Sequence, residues 1–258
     1  MPYRHAWLWC LAVIALTVPA FWPGYLSQLG QAKASSHFHA VTATLWMLLI
    51  AAQSWSIDGG HRTMHRSLGL AIFIVVPLFF IGGVGVEHSM AVATGSGQDA
   101  FYNVWGPSLA TMALKERRRI ARHAGWLLAT PLLLIGPVLS RIYPRYVPGL
   151  AIQGPPDFSA FRWGIHLGGL TAIAIALWLW SRHRRDGVPW LVAAAINLAQ
   201  LILFETLGFV SAWKAAFVAF GTISIAAPAI GATFISAAAL WWGWRAVPSR
   251  RTAQSRAQ

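Results

Sequence analysis

Histidine carries most of the chemical potential in this chain, and its positions are patterned. His37, His39, His61, His65, His88, His123 and His166 lie at or just outside the ends of long apolar runs, and none lies at a midpoint. Neutral imidazole is the commonest metal ligand and an axial ligand of haem. Histidines from separate runs that meet at one depth could therefore hold a metal or a b-type haem. A plainer role competes with this one. An ionisable side chain at a membrane interface avoids the roughly 2.5–3.5 kcal/mol charged at a helix centre, so imidazoles can reside there without a ligand.

Helical phase narrows the candidates. His37 and His39 point roughly 200° apart on a helix, so only one faces a bundle interior. His39 shares its stripe with Thr42, Trp46 and Gln53, and a mid-membrane glutamine turns inward to find a partner. His39 is thus preferred over His37. His123 shares a stripe with Thr130, seven residues on. His61 and His65 share a face if their helix starts early enough, although Gly59-Gly60 argues for a turn at His61. Asn197 and Gln200 are three apart on another run, with Glu205 near its exit. They suit interhelical hydrogen bonds or polar contacts to a quinone or other small substrate.

Other chemistries find little support. His61-x-x-x-His65 has the spacing of a histidine box in membrane di-iron desaturases and hydroxylases, but the adjacent His-His pairs of those families are missing. The single Cys10 allows neither a CxxC pair nor a CxxCH haem attachment. No Ser-His-Asp, Cys-His or phosphate-loop arrangement occurs.

The elements that must position these residues are membrane helices. The chain has 258 residues, 57% hydrophobic and only 10% charged, against about 25% charged in soluble domains. Apolar blocks of about 20 residues match a ~30 Å hydrocarbon core. They predict an all-α polytopic bundle with spans near 6–21, 38–56, 67–86, 120–140, 163–181, 188–207 and 217–242. These form one transmembrane domain, 1–245, and a basic disordered cytoplasmic tail, 246–258. Val18-Pro19-Ala20 has small residues where a signal peptidase could cut, but no polar mature N-terminus follows, so the first run is read as an uncleaved span. The polar segment 87–116, with Gly95-Ser96-Gly97 and Trp105-Gly106-Pro107, reads as a surface loop or an interfacial piece. Pro77, Pro131, Pro137 and Pro228 fall inside spans as candidate kinks.

The net charge of +13 sits between apolar runs and at the C-terminus, which suits lipid headgroups and not nucleic acid. With seven spans, thirteen Lys and Arg share the face of the C-terminus and seven the other. The positive-inside rule then predicts a cytoplasmic C-terminus and an external N-terminus. The same topology puts His37, His39, His88 and His123 in one layer and His61, His65 and His166 in the other.

From Phe21 to Gly69 the chain resembles a family of uncharacterised bacterial multi-pass membrane proteins. The likeness rests on Phe21-Trp22-Pro23-Gly24-Tyr25, His37-x-His39, Trp46, Gln53 and His65-Arg66-Ser67-Leu68-Gly69. It continues at Arg119, His123, Thr130, Pro137 and Arg141 and covers about half the chain. The family supports the topology and the choice of residues, and brings no activity; the expected location is a bacterial inner membrane. The His-Arg-x-x-Gly start of the third run is also distantly similar to haem-carrying membrane four-helix bundles such as di-haem b-type cytochromes, whose paired histidines are spaced more regularly.

The leading expectation is a membrane electron-transfer protein holding haem b between His39 and His123 and between His65 and His166. Arg66 and Arg119 would pair with propionates, and a quinone or other redox carrier would be the partner. The alternative is a small-solute permease or accessory subunit, in which the histidines, Gln53, Thr130, Asn197 and Gln200 serve packing or a pathway.

Overall fold

The structure, a computed structural model, describes residues 3–94, 106–151 and 158–247, and every regular element among them is helical. In order these are α1 (Ala6–Phe21), α2 (Ala34–Asp58), α3 (Arg62–Gly69), α4 (Ile72–Thr94), α5 (Gly106–Lys115), α6 (Ile120–Tyr146), α7 (Phe158–Arg182), α8 (Val188–Glu205), α9 (Ser211–Thr222) and α10 (Ala226–Arg245). Six of them, α2, α4, α6, α7, α8 and α10, are long and apolar enough to cross a membrane, and α1 is a shorter apolar helix. The expected all-α multi-pass bundle of about seven spans therefore stands. Gly95-Ser96-Gly97, Trp105 and the tail from residue 248 lie outside the described residues.

Helix α6 is central, packing against α1, α5, α7 and α8. Lipid tails are as apolar as leucine, so close backbone approach and not hydrophobic burial drives such packing. Against α7, a Cβ on Gly168 would lie 2.6 Å from the Gly136 carbonyl oxygen. Only a hydrogen fits there, and any side chain would push α6 and α7 apart.

Contacts at the helix ends sort the chain into two faces. The His5 backbone N–H donates to Asp58 at 2.7 Å, so α1 begins where α2 ends. The indole of Trp190, at the start of α8, donates to Tyr3. Arg122 pairs with Asp186 across the starts of α6 and α8. The His65 and His123 rings meet at 6.4 Å, and Arg117 donates to the Trp244 carbonyl at the end of α10. All these groups share one face. The opposite face gathers Lys33 at Ser89, Arg141 over Phe21, Arg162 with Glu205 and His88 at the Ile223 carbonyl.

Two boundaries differ from the sequence expectation. The run 67–86 is interrupted by a turn at Leu70–Ala71, so His65 sits on the separate short helix α3. The run 217–242 is broken at Ile223, whose extended backbone ends α9. Pro228 stands in the first turn of α10, where its missing N–H is harmless, and so it does not kink a span. Helix α9 begins beyond the end of α8 and finishes with Gly221 against Ala91 near the end of α4, so it runs along the second face.

The larger correction is topological. The segment 87–116 is neither a surface loop nor an interfacial piece over its second half. Leu109, Ala110, Thr111, Ala113 and Leu114 of α5 are buried between α6 and α10. Helix α4 delivers the chain to the second face and α6 starts from the first, so α5 completes an additional return. Across the described residues the chain changes face eight times, and Tyr3 and Arg245 end on the same side, against the expectation of opposite sides. Its polar and small residues concealed it, because ten residues of modest hydropathy do not register as a span.

Recounting charge on this topology changes the balance. Arg4, Arg62, Arg66, the five cations from Lys115 to Arg122, Arg182, Arg184, Arg185 and Arg245 occupy the first face. The second has only Lys33, Arg141, Arg145, Arg162 and Lys214. Twelve against five is a stronger asymmetry than the expected distribution offered, and membrane topology favours such asymmetry.

Compartment reporters fused separately to the N-terminus and after Arg245 are expected to report the same side of the membrane. Reports from opposite sides would restore an odd number of crossings.

Candidate functional site

Helices α2 and α6 run antiparallel and carry the residues of interest at heptad spacing: His39, Trp46 and Gln53 on one, His123, Thr130 and Pro137 on the other. Trp46, the middle residue of α2, donates from Nε1 to Thr130 Oγ1 at 3.1 Å. Thr130 in turn donates to the Leu127 carbonyl at 2.7 Å, which satisfies a hydroxyl buried in the bundle.

Toward the cation-rich face this seam ends in a histidine pair. The His65 and His123 ring planes are nearly perpendicular, at 84°. His123 Nδ1–H donates to the Ala113 carbonyl at 2.8 Å, and His65 Nδ1–H donates, at a longer 3.4 Å, to the Gln53 carbonyl. A carbonyl can only accept, so these contacts fix the neutral tautomer with its lone pair on Nε2. Neither Nε2 has a hydrogen-bond partner among the described residues. The Gln53 amide nitrogen donates to the His65 carbonyl at 3.1 Å, while its buried Oε1 has no partner. Gln53 thus ties α3 to α2, and α5 supplies the carbonyl that orients His123.

Toward the other face the seam opens into a cavity of about 1370 Å³ walled by α1, α2, α4 and α6, with Pro107 of α5 and Phe161 and Ile165 of α7 on its lining. Trp46 and Thr130 lie on its inner wall. His39 lines it with its ring stacked on Phe79 at 5.4 Å and with a buried Nδ1 that has no partner. Val13, Met47, Phe80 and Leu134 make the wall apolar, and Lys33, Glu87, Arg141 and Arg145 add charge.

The expected pairings are not the ones assembled. His39 and Gln53 are fourteen residues apart on one helix, about 21 Å along its axis. His39 is therefore remote from the His65–His123 pair and cannot share a ligand with His123. His166 is also at the opposite end from His65: its Nε2 meets Glu205 at 2.8 Å, and the same carboxylate pairs with Arg162. The odd crossing count had placed His123 in the wrong layer. Arg66 stays beside His65 on α3. Arg119 caps α6 and approaches Glu116 at 4.0 Å with an exposed side chain. Asn197 donates to the Ala193 carbonyl at 2.9 Å, and Gln200 is buried with both amide atoms unpartnered. Among the described residues no group of three His, Cys, Asp or Glu gathers as a metal site.

Sequence reasoning missed two features. The first is the cavity, which Pro107 alone among the described residues of α5 reaches. The second is Glu116, which accepts from Trp126 and pairs with Arg122, itself joined to Asp186. A lone acid inside the cluster Lys115-Glu116-Arg117-Arg118-Arg119 was the available signal. Comparison with protein-family models, curated proteins and solved structures finds no match.

Burial holds the His65 imidazole below its ordinary pKa; the Gln53 carbonyl opposes this shift and Arg66 adds to it. Since folding lowers the pKa, the unfolded chain binds more protons near and below about pH 6.5, and stability falls as pH drops through that region. Thermal unfolding in detergent is expected to show this loss, with a shallower slope in His65→Gln. An identical slope would remove His65 as its source.

Proposed function

We propose that this multi-pass membrane protein binds an amphipathic ligand in the cavity beside His39. One observation carries the reading: a cavity of about 1370 Å³ penetrates to the middle of α2 and carries a partnerless imidazole nitrogen on a largely apolar wall. Ligand sites characteristically combine apolar walls with a few placed polar groups. A quinone ring and a lipid headgroup each supply a polar end to such a space. In the permease version of this reading, the cavity is the outward half of a pathway that the Trp46–Thr130 contact closes.

The orientation belongs to the same proposal. The positive-inside rule places the twelve-cation face, with both ends of the bundle, in the cytoplasm. The cavity then opens away from the cytoplasm across a bacterial inner membrane.

A second reading keeps the b-type haem at a different pair of ligands. The observation favouring it is that His65 and His123 meet with both Nδ1 atoms on backbone carbonyls, the outer hydrogen bond that orients metal-bound histidine. Haem bound there would supply one-electron redox chemistry. The chain's part would be to hold two neutral Nε2 lone pairs, with Gln53 and Ala113 fixing the rings and Arg66 the nearest candidate for a propionate. His39 and His166 have no role in that version.

Protein purified in mild detergent is expected to retain a small amphipathic molecule by native mass spectrometry, and Ala43→Trp, which fills the cavity, to reduce its occupancy at least about tenfold, equivalent to 1.4 kcal/mol. Unchanged retention in the folded variant would sink the cavity reading. The absorption spectrum of wild-type protein from iron-replete cells decides the second reading. A Soret band lost in His65→Ala and kept in His39→Ala is expected of it, and a colourless, metal-free preparation overturns it.

A further inference from the structure

We infer that the cavity's ligand is a membrane lipid with an anionic phosphate headgroup, an inference that rests on the cavity reading above. The distribution of charge carries it. The second face holds only five described cations, and three of them, Lys33, Arg141 and Arg145, line this one cavity. Among its described lining residues Glu87 is the only carboxylate. Among the described residues the wall is therefore cationic by two charges, on the face that topology keeps poorest in cations.

The three groups are placed as a rim. Lys33 precedes the first turn of α2 and donates to the Ser89 carbonyl at 3.3 Å, across to α4. Arg141 and Arg145 are one turn apart near the end of α6, on the same side of that helix. Arg141 lies over the Phe21 ring at 4.7 Å, at the end of α1. Cations from α2 and α6 thus flank a mouth whose interior is hydrocarbon: Val13 and Ile14 of α1, Met47 of α2, Phe79 of α4 and Leu134 of α6.

This combination selects a ligand class. Guanidinium forks match phosphate oxygens in two-point contacts, and an ammonium adds a point charge. A quinone carries no charge to engage three cations, and a zwitterionic headgroup brings a cation that meets a single carboxylate, Glu87, among the described lining residues. The volume exceeds the 300–1,000 Å³ typical of drug-sized ligands and leaves room for an acyl chain below the headgroup. His39 then sits about 9 Å below Lys33 along α2, at the depth of a lipid's ester groups, where its partnerless Nδ1 is available to an ester oxygen and its face stacks on Phe79.

The test is a competition read by native mass spectrometry. Purified full-length protein is incubated with equal amounts of phosphatidylglycerol and phosphatidylethanolamine of identical chains. Wild type is expected to prefer the anionic lipid by about tenfold or more, as three charge-assisted contacts allow. In K33Q/R141Q/R145Q the preference falls toward unity while phosphatidylethanolamine occupancy holds. Ala43→Trp removes both lipids, and Ala40→Phe replaces it if that variant does not fold. Excess inorganic phosphate leaves the bound lipid in place. A preference that survives the triple substitution overturns the headgroup inference while leaving the cavity reading intact. Displacement by inorganic phosphate makes the site one for a free anion. Both lipids surviving a folded cavity-filling variant would refute the cavity reading itself.

Discussion

Hydrocarbon offers no partner to a peptide N–H or C=O, so a chain in a bilayer keeps its backbone in helices and changes face only by traversing the layer. Everything else in this protein follows from how many traverses there are. Helix α5 is the decisive one. Its ten residues pack Ala110 and Ala113 without exposed surface between α6 and α10, and they bring the chain back to the face from which α6 departs. Without that return His123 would begin on the far side from His65. With it, the two rings meet, and the Ala113 carbonyl of α5 fixes one of them.

The same helix borders both halves of the bundle, one closed and the other open. Near the cation-rich face α5 fills the space beside α6, and the contacts there are dense: Glu116 with Trp126 and Arg122, Arg122 with Asp186, Arg117 over the Trp244 ring. At its first described turn Pro107 reaches the lining of the cavity that α1, α2, α4, α6 and α7 surround. The Trp46–Thr130 hydrogen bond marks the boundary between the halves. The heptad stripes of α2 and α6 thus pass through two environments, a packed one at Gln53 and His123 and an open one at His39.

Much of this was legible in the sequence. Run length and composition gave the membrane class, the six long helices and the short α1. Helical phase correctly turned Gln53 and Thr130 inward, and both are buried. The preference for His39 over His37 also has a structural counterpart: His37 engages the Tyr25 hydroxyl at 2.9 Å, while His39 lines the cavity. What could not be read was depth. A histidine's layer depends on the parity of every crossing before it, so one unrecognised helix moved His123 to the wrong face while His65, ahead of α5, kept its place. His166, which also follows α5, was moved with it and was therefore expected beside His65, whereas it lies at the opposite end with Glu205. Partners supplied by backbone, such as the Ala113 and Gln53 carbonyls, are invisible to any search over side-chain types.

The even number of crossings has an electrical consequence. Each helix carries a macrodipole equivalent to roughly half a charge at either end, and antiparallel neighbours such as α1 with α2 or α6 with α7 nearly cancel. Helix α5 adds a dipole aimed at the cavity. Its C-terminal end is at the cation-rich face among Lys115 and Arg117, and its first described turn places Pro107 on the cavity lining. The positive end of that dipole therefore points toward the inner end of the cavity, where Trp46 and Thr130 line the wall. Backbone thus polarises that end of the cavity alongside its side chains.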